Sequence, residues 1–231
     1  MGSEMSETEF LKSYDPTKYA RPSLATDAIV FGYFGGRIHT LLIQRKNHPF
    51  KGRWVFPGGF VEVYEDPDEG VRRELREETG VEIGELAQLA VFGRPDRDPR
   101  YHVISAAYIG VIAPEAAVVN ADDDAANAAW HPVDHTPPLG FDHETVLQVA
   151  LDRLRKEIHY PSFAMRFFQK GCTGAELLAL YQAVLGQKID PKRFLEGLVP
   201  ACSSAPALDK PVRLHKQKLR DFESRLGAWW R

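Results

Sequence analysis

Apolar and polar residues alternate along much of the first 160 residues. The alternation predicts strands at residues 25–33 and 38–45, which are joined by a turn at Gly35 and Gly36. Further strands are predicted at residues 54–61, where Pro57, Gly58 and Gly59 interrupt the segment, and at residues 85–93, 102–112 and 128–132. Because strands this numerous must pair, the pattern indicates a sheet protein.

Helical spacing replaces the alternation in two places. Asp66 and Pro67 are typical of a helix start and Gly80 of a helix end, so a helix is predicted over residues 67–79. A second helix is predicted over residues 143–158. Strands mixed with helices in this order predict an α+β fold, in which helices pack on the faces of a mixed sheet.

The pattern changes after Pro161. Helices are predicted at residues 173–185 and 191–198, followed by an extended stretch at 211–214 and a helix at 217–230. This order predicts a small winged helix-turn-helix. We therefore divide the chain into an N-terminal extension (1–21), a main domain (22–160) and a winged-helix-like domain (161–231).

Charge is unevenly distributed between these parts. The net charge is −3 for the whole chain, −9 for residues 1–160 and +6 for residues 161–231. A basic segment attached to an acidic domain is typical of a nucleic-acid-binding module, although a solvated basic surface explains it equally well. No apolar run reaches the ~18–20 residues that span a bilayer, and acidic residues stand where a signal peptide would have basic ones. These features predict a cytoplasmic protein with no membrane partner.

The helix at residues 67–79 carries the main candidate chemistry. Glu74, Glu77 and Glu78 lie on one side of about one turn, where like charges repel and need a cation. Hard carboxylate oxygens at this spacing suit Mg²⁺ or Mn²⁺. The alternative is a solvated acidic helix whose charge is relieved by neighbouring arginines, among them Arg73.

The residues around this helix resemble the Nudix superfamily. The chain matches the signature G-x5-E-x7-R-E-U-x-E-E-x-G-U at every fixed position, namely Gly59, Glu65, Arg73, Glu74, Leu75, Glu77, Glu78, Gly80 and Val81. The resemblance covers residues 22–160 and implies an α/β/α sandwich with a mixed sheet. It also implies metal ligation by Glu74, Glu77, Glu78 and the Gly58 carbonyl.

The same resemblance implies roles for the two other charged residues of the signature. Arg73 would orient the glutamates, and Glu65 would support the loop or an outer-sphere water. The implied reaction is attack of a metal-activated water on a diphosphate, with Glu77, Glu78, Arg73 and Glu65 as catalytic candidates. Asp122, Asp123 and Asp124 either contribute a general base or form an exposed acidic loop.

Substrate class is indicated by residues 92–100. Pro95 lies fifteen residues beyond Gly80, as in Nudix enzymes that act on ADP-ribose, and Arg94, Arg97 and Arg100 are candidates to clamp a diphosphate and ribose. The alternative is a solvated loop.

Nearly the whole chain also resembles the Nudix-related transcriptional regulators of NAD metabolism, in which an ADP-ribose-sensing Nudix domain is fused to a winged helix. That resemblance implies a homodimer and DNA contacts, for which Lys192, Arg193, Arg213 and Lys216 are the candidates. The helix at 191–198 departs from the pattern because it has only two basic residues. The C-terminal domain could instead serve dimerisation or substrate shaping. We therefore expect an Mg²⁺-dependent pyrophosphatase for ADP-ribose or a related compound, with an ADP-ribose-sensing DNA-binding regulator as the alternative.

Overall fold

The structure of the protein is a computed structural model, which describes residues 5–116 and 125–229. Within these ranges seven strands form one sheet. The strands are β1 (Ser23–Phe34), β2 (Arg37–Arg45), β3 (Trp54–Val55), β4 (Gly58–Phe60), β5 (Ala87–Phe92), β6 (Val103–Ile112) and β7 (Ala125–Pro132). The helices are α1 (Glu7–Ser13), α2 (Pro67–Thr79), α3 (His143–Glu157), α4 (Pro161–Ala164), α5 (Gly174–Leu185), α6 (Pro191–Leu198) and α7 (Lys216–Trp229).

The sheet is mixed, as predicted. Its strand order is β3-β2-β1-β6-β5, while β4 pairs with β1 and β7 with β2. β1 and β6 run parallel from the Ser23–Val103 pair to the Gly32–Ile112 pair, whereas the other pairs are antiparallel.

Alternate residues of β1 face two different helices. Ala28 and Val30 belong to the hydrophobic cluster that contains α2, whereas Ile29 and Phe31 belong to the cluster that contains α3. This follows from the two-residue period of a strand. The sheet is therefore covered by a helix on each face, and the α+β prediction is confirmed.

Both ends of α2 lie where the sequence predicts them. The side chain of Asp66 accepts a hydrogen bond from the backbone N–H of Asp68 at 2.9 Å, which satisfies one of the free donors of the first turn. Gly80 ends the helix with φ at 69°, a left-handed conformation that glycine adopts without a Cβ penalty. α2 begins directly after the loop that follows β4, and β4 pairs with residues 25–27 near the start of β1, so the acidic face of α2 lies close to that part of the strand.

The C-terminal helices share a hydrophobic cluster with the sheet. Leu177 of α5 and Phe194 of α6 belong to the same cluster as Ile29 and Phe31. Residues 211–214 are extended, as expected, but they form isolated bridges only, between Thr173 and Pro211 and between Cys202 and Leu214. The β-wing is thus reduced to single bridges. The division of the chain at residue 160 stays a prediction.

The N-terminal extension contains a helix that the sequence pattern did not predict. The side chain of Ser6 accepts a hydrogen bond from the backbone N–H of Glu9, and Glu9 accepts one from the backbone N–H of Ser6, a capping box that starts α1. Phe10 and Leu11 of this helix are exposed. In the described ranges, no helix is long and apolar enough to cross a membrane.

Candidate functional site

A cleft of about 430 Å³ opens between β1, the loop around β4 and the acidic face of α2. The loop at residues 94–100 and the first residues of α3 complete it. The cleft is lined by Ala25, Thr26, Asp27, Arg45, Val55, Phe56, Gly58, Gly59, Phe60, Glu62, Arg73, Glu74, Glu78, Arg97, Asp98, Arg100, Val103, Phe141 and His143. Of the eight glutamates and arginines predicted from the sequence, this cleft collects five, namely Glu74, Glu78, Arg73, Arg97 and Arg100. Glu65, Glu77 and Arg94 are not among its lining residues, although Glu65 and Glu77 contact Arg73.

Glu78 lines the cleft and is the most buried of Glu74, Glu77 and Glu78. Its Oε2 accepts a hydrogen bond of 2.8 Å from the backbone N–H of Gly58. The pKa of this carboxyl is raised to about 8, first by burial and then by the negative charges of Glu74 and Asp27, against the opposing effect of the Gly58 bond. In the described part of the chain, no cationic side chain forms an ion pair with Glu78. At neutral pH this carboxyl is therefore mostly protonated, and a positive charge close to it would favour its ionised form.

Arg73 connects the other carboxylates of α2 to the loop. Its Nε and Nη2 donate to Glu65 at 2.8 and 3.0 Å, and Nη1 donates to Glu74 at 2.9 Å and to Glu77 at 3.2 Å. Nη2 also donates to the carbonyl of Phe60. The hydrogen bonds that Glu65 accepts from Arg73 and from the backbone N–H of Glu62 lower the pKa of Glu65 to about 2. Arg73 therefore fixes the loop to the helix.

The glutamates offer the oxygen donors that a divalent cation prefers, but they are not drawn together around a common point. Among the described residues, no group of three acidic, histidine or cysteine side chains is arranged to hold a metal. Glu74 and Glu77 turn towards Arg73 instead. Burial raises the pKa of Glu74 as it does for Glu78. Two buried carboxyls side by side fit a cation, which would have to compete with Arg73 for Glu74 and Glu77.

Gly58 and Gly59 of β4 lie very close to neighbouring atoms. A Cβ built on Gly59 would lie 2.3 Å from Oε1 of Glu74, and one on Gly58 would lie 2.1 Å from the carbonyl oxygen of Thr26. At Gly58 the neighbour is backbone, so a side chain does not fit there, whereas at Gly59 the Glu74 carboxylate would have to move to make room for one.

The structure divides the predicted substrate-binding segment into two parts. Arg97 and Arg100 reach the cleft, whereas Arg94 and Pro95 are exposed outside it. Arg94 pairs with Asp96, and its side chain is 79% exposed. Arg100 donates two hydrogen bonds to Asp98 and lies 5.3 Å over the ring of Phe60.

Arg97 is committed to acidic partners of its own chain. Its side chain is 5% exposed, and its Nε and Nη2 donate to Asp142 at 3.0 and 2.7 Å. Nη2 also lies 3.6 Å from Asp27. A direct clamp on a diphosphate by Arg97, as expected from the sequence, would require it to leave these partners.

Sequence reasoning missed Asp27 and His143, which lie together on the cleft floor. The backbone N–H of Phe56 donates a 3.0 Å hydrogen bond to Nδ1 of His143, and Nε2 lies 3.5 Å from Asp27. Since a backbone amide can only donate, Nδ1 is unprotonated and the ring proton is on Nε2. Burial lowers the pKa of His143, so the ring is neutral. The signal for Asp27 was visible as a lone acid in the apolar run of residues 25–33, whereas His143 had no local signal.

The sequence matches the family described as NUDIX domain over residues 22–150. The chain belongs to the Nudix family. The proteins similar to this Nudix protein include a repressor and a pyrophosphatase. The ADPR responsive transcriptional repressor NtrR of Acinetobacter baylyi is 29% identical over 94% of this chain and 91% of its own length. The ADP-ribose pyrophosphatase of Methanocaldococcus jannaschii is 44% identical over 56% of this chain and 73% of its own length.

A solved structure extends the similarity beyond the Nudix domain. The crystal structure of Shewanella oneidensis NrtR complexed with a 27mer DNA superposes with a TM-score of 0.69 at 27% identity, covering 85% of this chain and 95% of that one. The α+β Nudix fold with an additional C-terminal region is therefore confirmed.

The candidate DNA-contacting residues of the C-terminal region are all exposed: Lys192, Arg193, Arg213 and Lys216. Lys192 lies 4.0 Å from Glu196 on the same side of α6, so part of its charge is offset within the helix. The acidic triplet Asp122, Asp123 and Asp124 lies outside the residues that the structure describes.

Proposed function

We propose that this Nudix protein is a hydrolase that uses Mg²⁺ or Mn²⁺ to cleave the diphosphate of ADP-ribose or of a related nucleoside diphosphate-linked compound. The observation that carries the proposal is Glu78, a largely buried carboxyl without a cationic side-chain partner in the described ranges, which lines the cleft together with Glu74 and Arg73. The pyrophosphatase named among the relatives supports the choice of ADP-ribose.

Each residue has a role in this proposal. Glu74, Glu77, Glu78 and the Gly58 carbonyl hold the cation, which when bound neutralises phosphate charge and lowers the pKa of water. The Gly58 N–H holds Glu78 in place, and Arg73 positions Glu65, Glu74 and Glu77. Arg97 keeps Asp142 and the cleft residue Asp27 in position, and Arg100 borders the cleft at Phe60.

Release of AMP tests this function. Purified protein is incubated with ADP-ribose, NADH, diadenosine tetraphosphate and nucleoside triphosphates, with Mg²⁺ and with Mn²⁺. We expect turnover of ADP-ribose, and a loss of at least about a hundredfold in Glu78→Gln. Glu82→Gln is the matched control because Glu82 is exposed and outside the cleft. Absence of AMP from every substrate, with both metals, would reject the enzyme.

A second candidate is a DNA-binding regulator for which ADP-ribose is the effector. It is supported by the repressor that matches 94% of the chain, and by the exposed basic residues Lys192, Arg193, Arg213 and Lys216. We propose that these residues contact phosphates rather than base edges, since α6 carries only two of them and Lys192 lies near Glu196.

A mobility shift on DNA upstream of NAD-biosynthesis genes tests the regulator. Binding should weaken steeply with salt and with added ADP-ribose. Replacing Lys192, Arg193, Arg213 and Lys216 by Gln should abolish it, while leaving ADP-ribose binding unchanged. No shift at low salt would eliminate this candidate. A homodimer is also proposed, and light scattering coupled to gel filtration measures it.

A further inference from the structure

Four arginines border the cleft, and three of them are neutralised by carboxylates of the same chain. Arg73 pairs with glutamates of the loop and helix, Arg97 with Asp142 and Arg100 with Asp98. Arg45 differs, because among the described residues no carboxylate forms an ion pair with it. It is therefore the cleft arginine with a charge left to offer.

The side chain of Arg45 is held in place before any ligand arrives. Its Nε donates a 2.8 Å hydrogen bond to the carbonyl of Pro49, and its guanidinium lies 5.0 Å over the ring of Phe141. Its backbone N–H and C=O bond to Arg53 and Gly52, which fixes the end of β2. The two Nη atoms have no hydrogen-bond partner in the described part of the chain. Since the fork is already oriented, little conformational freedom is lost when it binds.

The surroundings of Arg45 disfavour the positive charge of its own guanidinium. Arg45 is half-buried. Burial lowers its pKa, and the positive charge of Arg100 lowers it further. The negative charges of Glu78 and Asp98 act in the opposite direction without forming a direct pair. A half-buried guanidinium without a counter-ion is stabilised by an anion with oxygens that can accept from both Nη atoms, which is the chemistry of a phosphate group.

We propose that Arg45 binds a phosphate oxygen of the diphosphate ligand and that it, rather than Arg94 or Arg97, is the arginine that determines affinity for that group. The inference rests on the proposed binding of a nucleoside diphosphate-linked compound in this cleft. Arg45 presents its two Nη atoms to the phosphate, with Phe141 behind the guanidinium and the Glu78 end of the cleft close by.

Calorimetric titration of the full-length protein with ADP-ribose tests this. It is done in EDTA and again in CaCl₂, and the variants are compared in each buffer where the wild type binds. We expect Arg45→Gln to weaken binding on the order of ten- to a hundredfold, since hydrogen bonds to charged groups contribute about 1.5–3 kcal/mol. Arg45→Lys should be intermediate, because an ammonium group cannot reproduce the fork.

Arg53→Gln is the matched control, since it removes the same charge from an exposed neighbouring position outside the cleft. It should bind ADP-ribose as the wild type does. The thermal midpoint of ligand-free Arg45→Gln should equal or exceed that of the wild type, while the stabilisation by ADP-ribose shrinks. A lowered midpoint with unchanged affinity would make Arg45 structural and overturn the inference. If the wild type binds ADP-ribose in neither buffer, the proposed function is rejected instead.

Discussion

The backbone nitrogen of Gly58 and Oε2 of Glu78 lie 2.8 Å apart, and this hydrogen bond joins the first residue of β4 to the last turn of α2. It holds a carboxyl that burial would otherwise keep protonated even more strongly. The protonation state of this carboxyl therefore influences the electrostatics of the cleft.

Affinity for Mg²⁺ should rise with pH. Burial raises the pKa of Glu78 to about 8, so the metal-free carboxyl holds its proton below that pH, and a cation must displace it. Affinity should therefore increase by up to about tenfold per pH unit between roughly pH 6 and 8 and level off above. Calorimetric Mg²⁺ titrations at several pH values measure this. A flat profile in the wild type, or the same slope in Glu78→Gln, would contradict the assignment.

Replacing Arg97 should destabilise the fold. Its buried guanidinium neutralises Asp142 and lies near Asp27, and Arg97→Gln would leave these carboxylates without their cation. The expected loss in the free energy of unfolding is about 3–5 kcal/mol. Urea denaturation followed by circular dichroism measures it.

Arg94→Gln serves as the comparison for Arg97. Arg94 pairs with Asp96 in solvent, where an ion pair contributes little to stability, so Arg94→Gln should lose much less than Arg97→Gln. Equal losses in the two variants would show that burial of the Arg97 pair does not matter.

Alanine at the two adjacent glycines should have different effects. A Cβ at Gly58 meets the backbone carbonyl of Thr26, which cannot move, so Gly58→Ala should cost about 1–3 kcal/mol or more of stability. A Cβ at Gly59 meets only the carboxylate of Glu74, a flexible side chain, so Gly59→Ala should stay folded but bind Mg²⁺ poorly. Thermal unfolding and metal titration of both variants check this. A stable Gly58→Ala protein would refute the close packing of β4 on β1.

Both cysteines should be unreactive in the native protein. Cys172 and Cys202 are free and buried, and burial raises the pKa of Cys172 to about 12 and raises that of Cys202 as well. At pH 8 neither thiol ionises appreciably, and the thiolate is the reactive form. A thiol-specific chromogenic disulfide should detect fewer than one thiol before denaturation and two after it. Rapid labelling of the native protein would be inconsistent with this packing.

Local features of the sequence predicted most of the secondary structure and the acidic half of the site. The limits of α2 follow from Asp66, Pro67 and Gly80, and the three glutamates share a face because a helix repeats every 3.6 residues. The unpredicted α1 begins at a capping box of Ser6 and Glu9, which lacks the apolar periodicity on which the helix predictions relied.

The sequence by itself determined the Nudix box, the mixed sheet and the position of the C-terminal helices, since each depends on residues near one another in the chain. Only the tertiary structure decided which cleft arginine has no carboxylate partner among the described residues. Arg97 meets Asp142, 45 residues away, and Phe56 meets His143, 87 residues away. Such pairs depend on where the segment after β3, the loop before β6 and the start of α3 come together, and no local spacing encodes that distance. Arg45 is left without a carboxylate partner among the described residues for the same reason, because the available acids are held elsewhere by the fold.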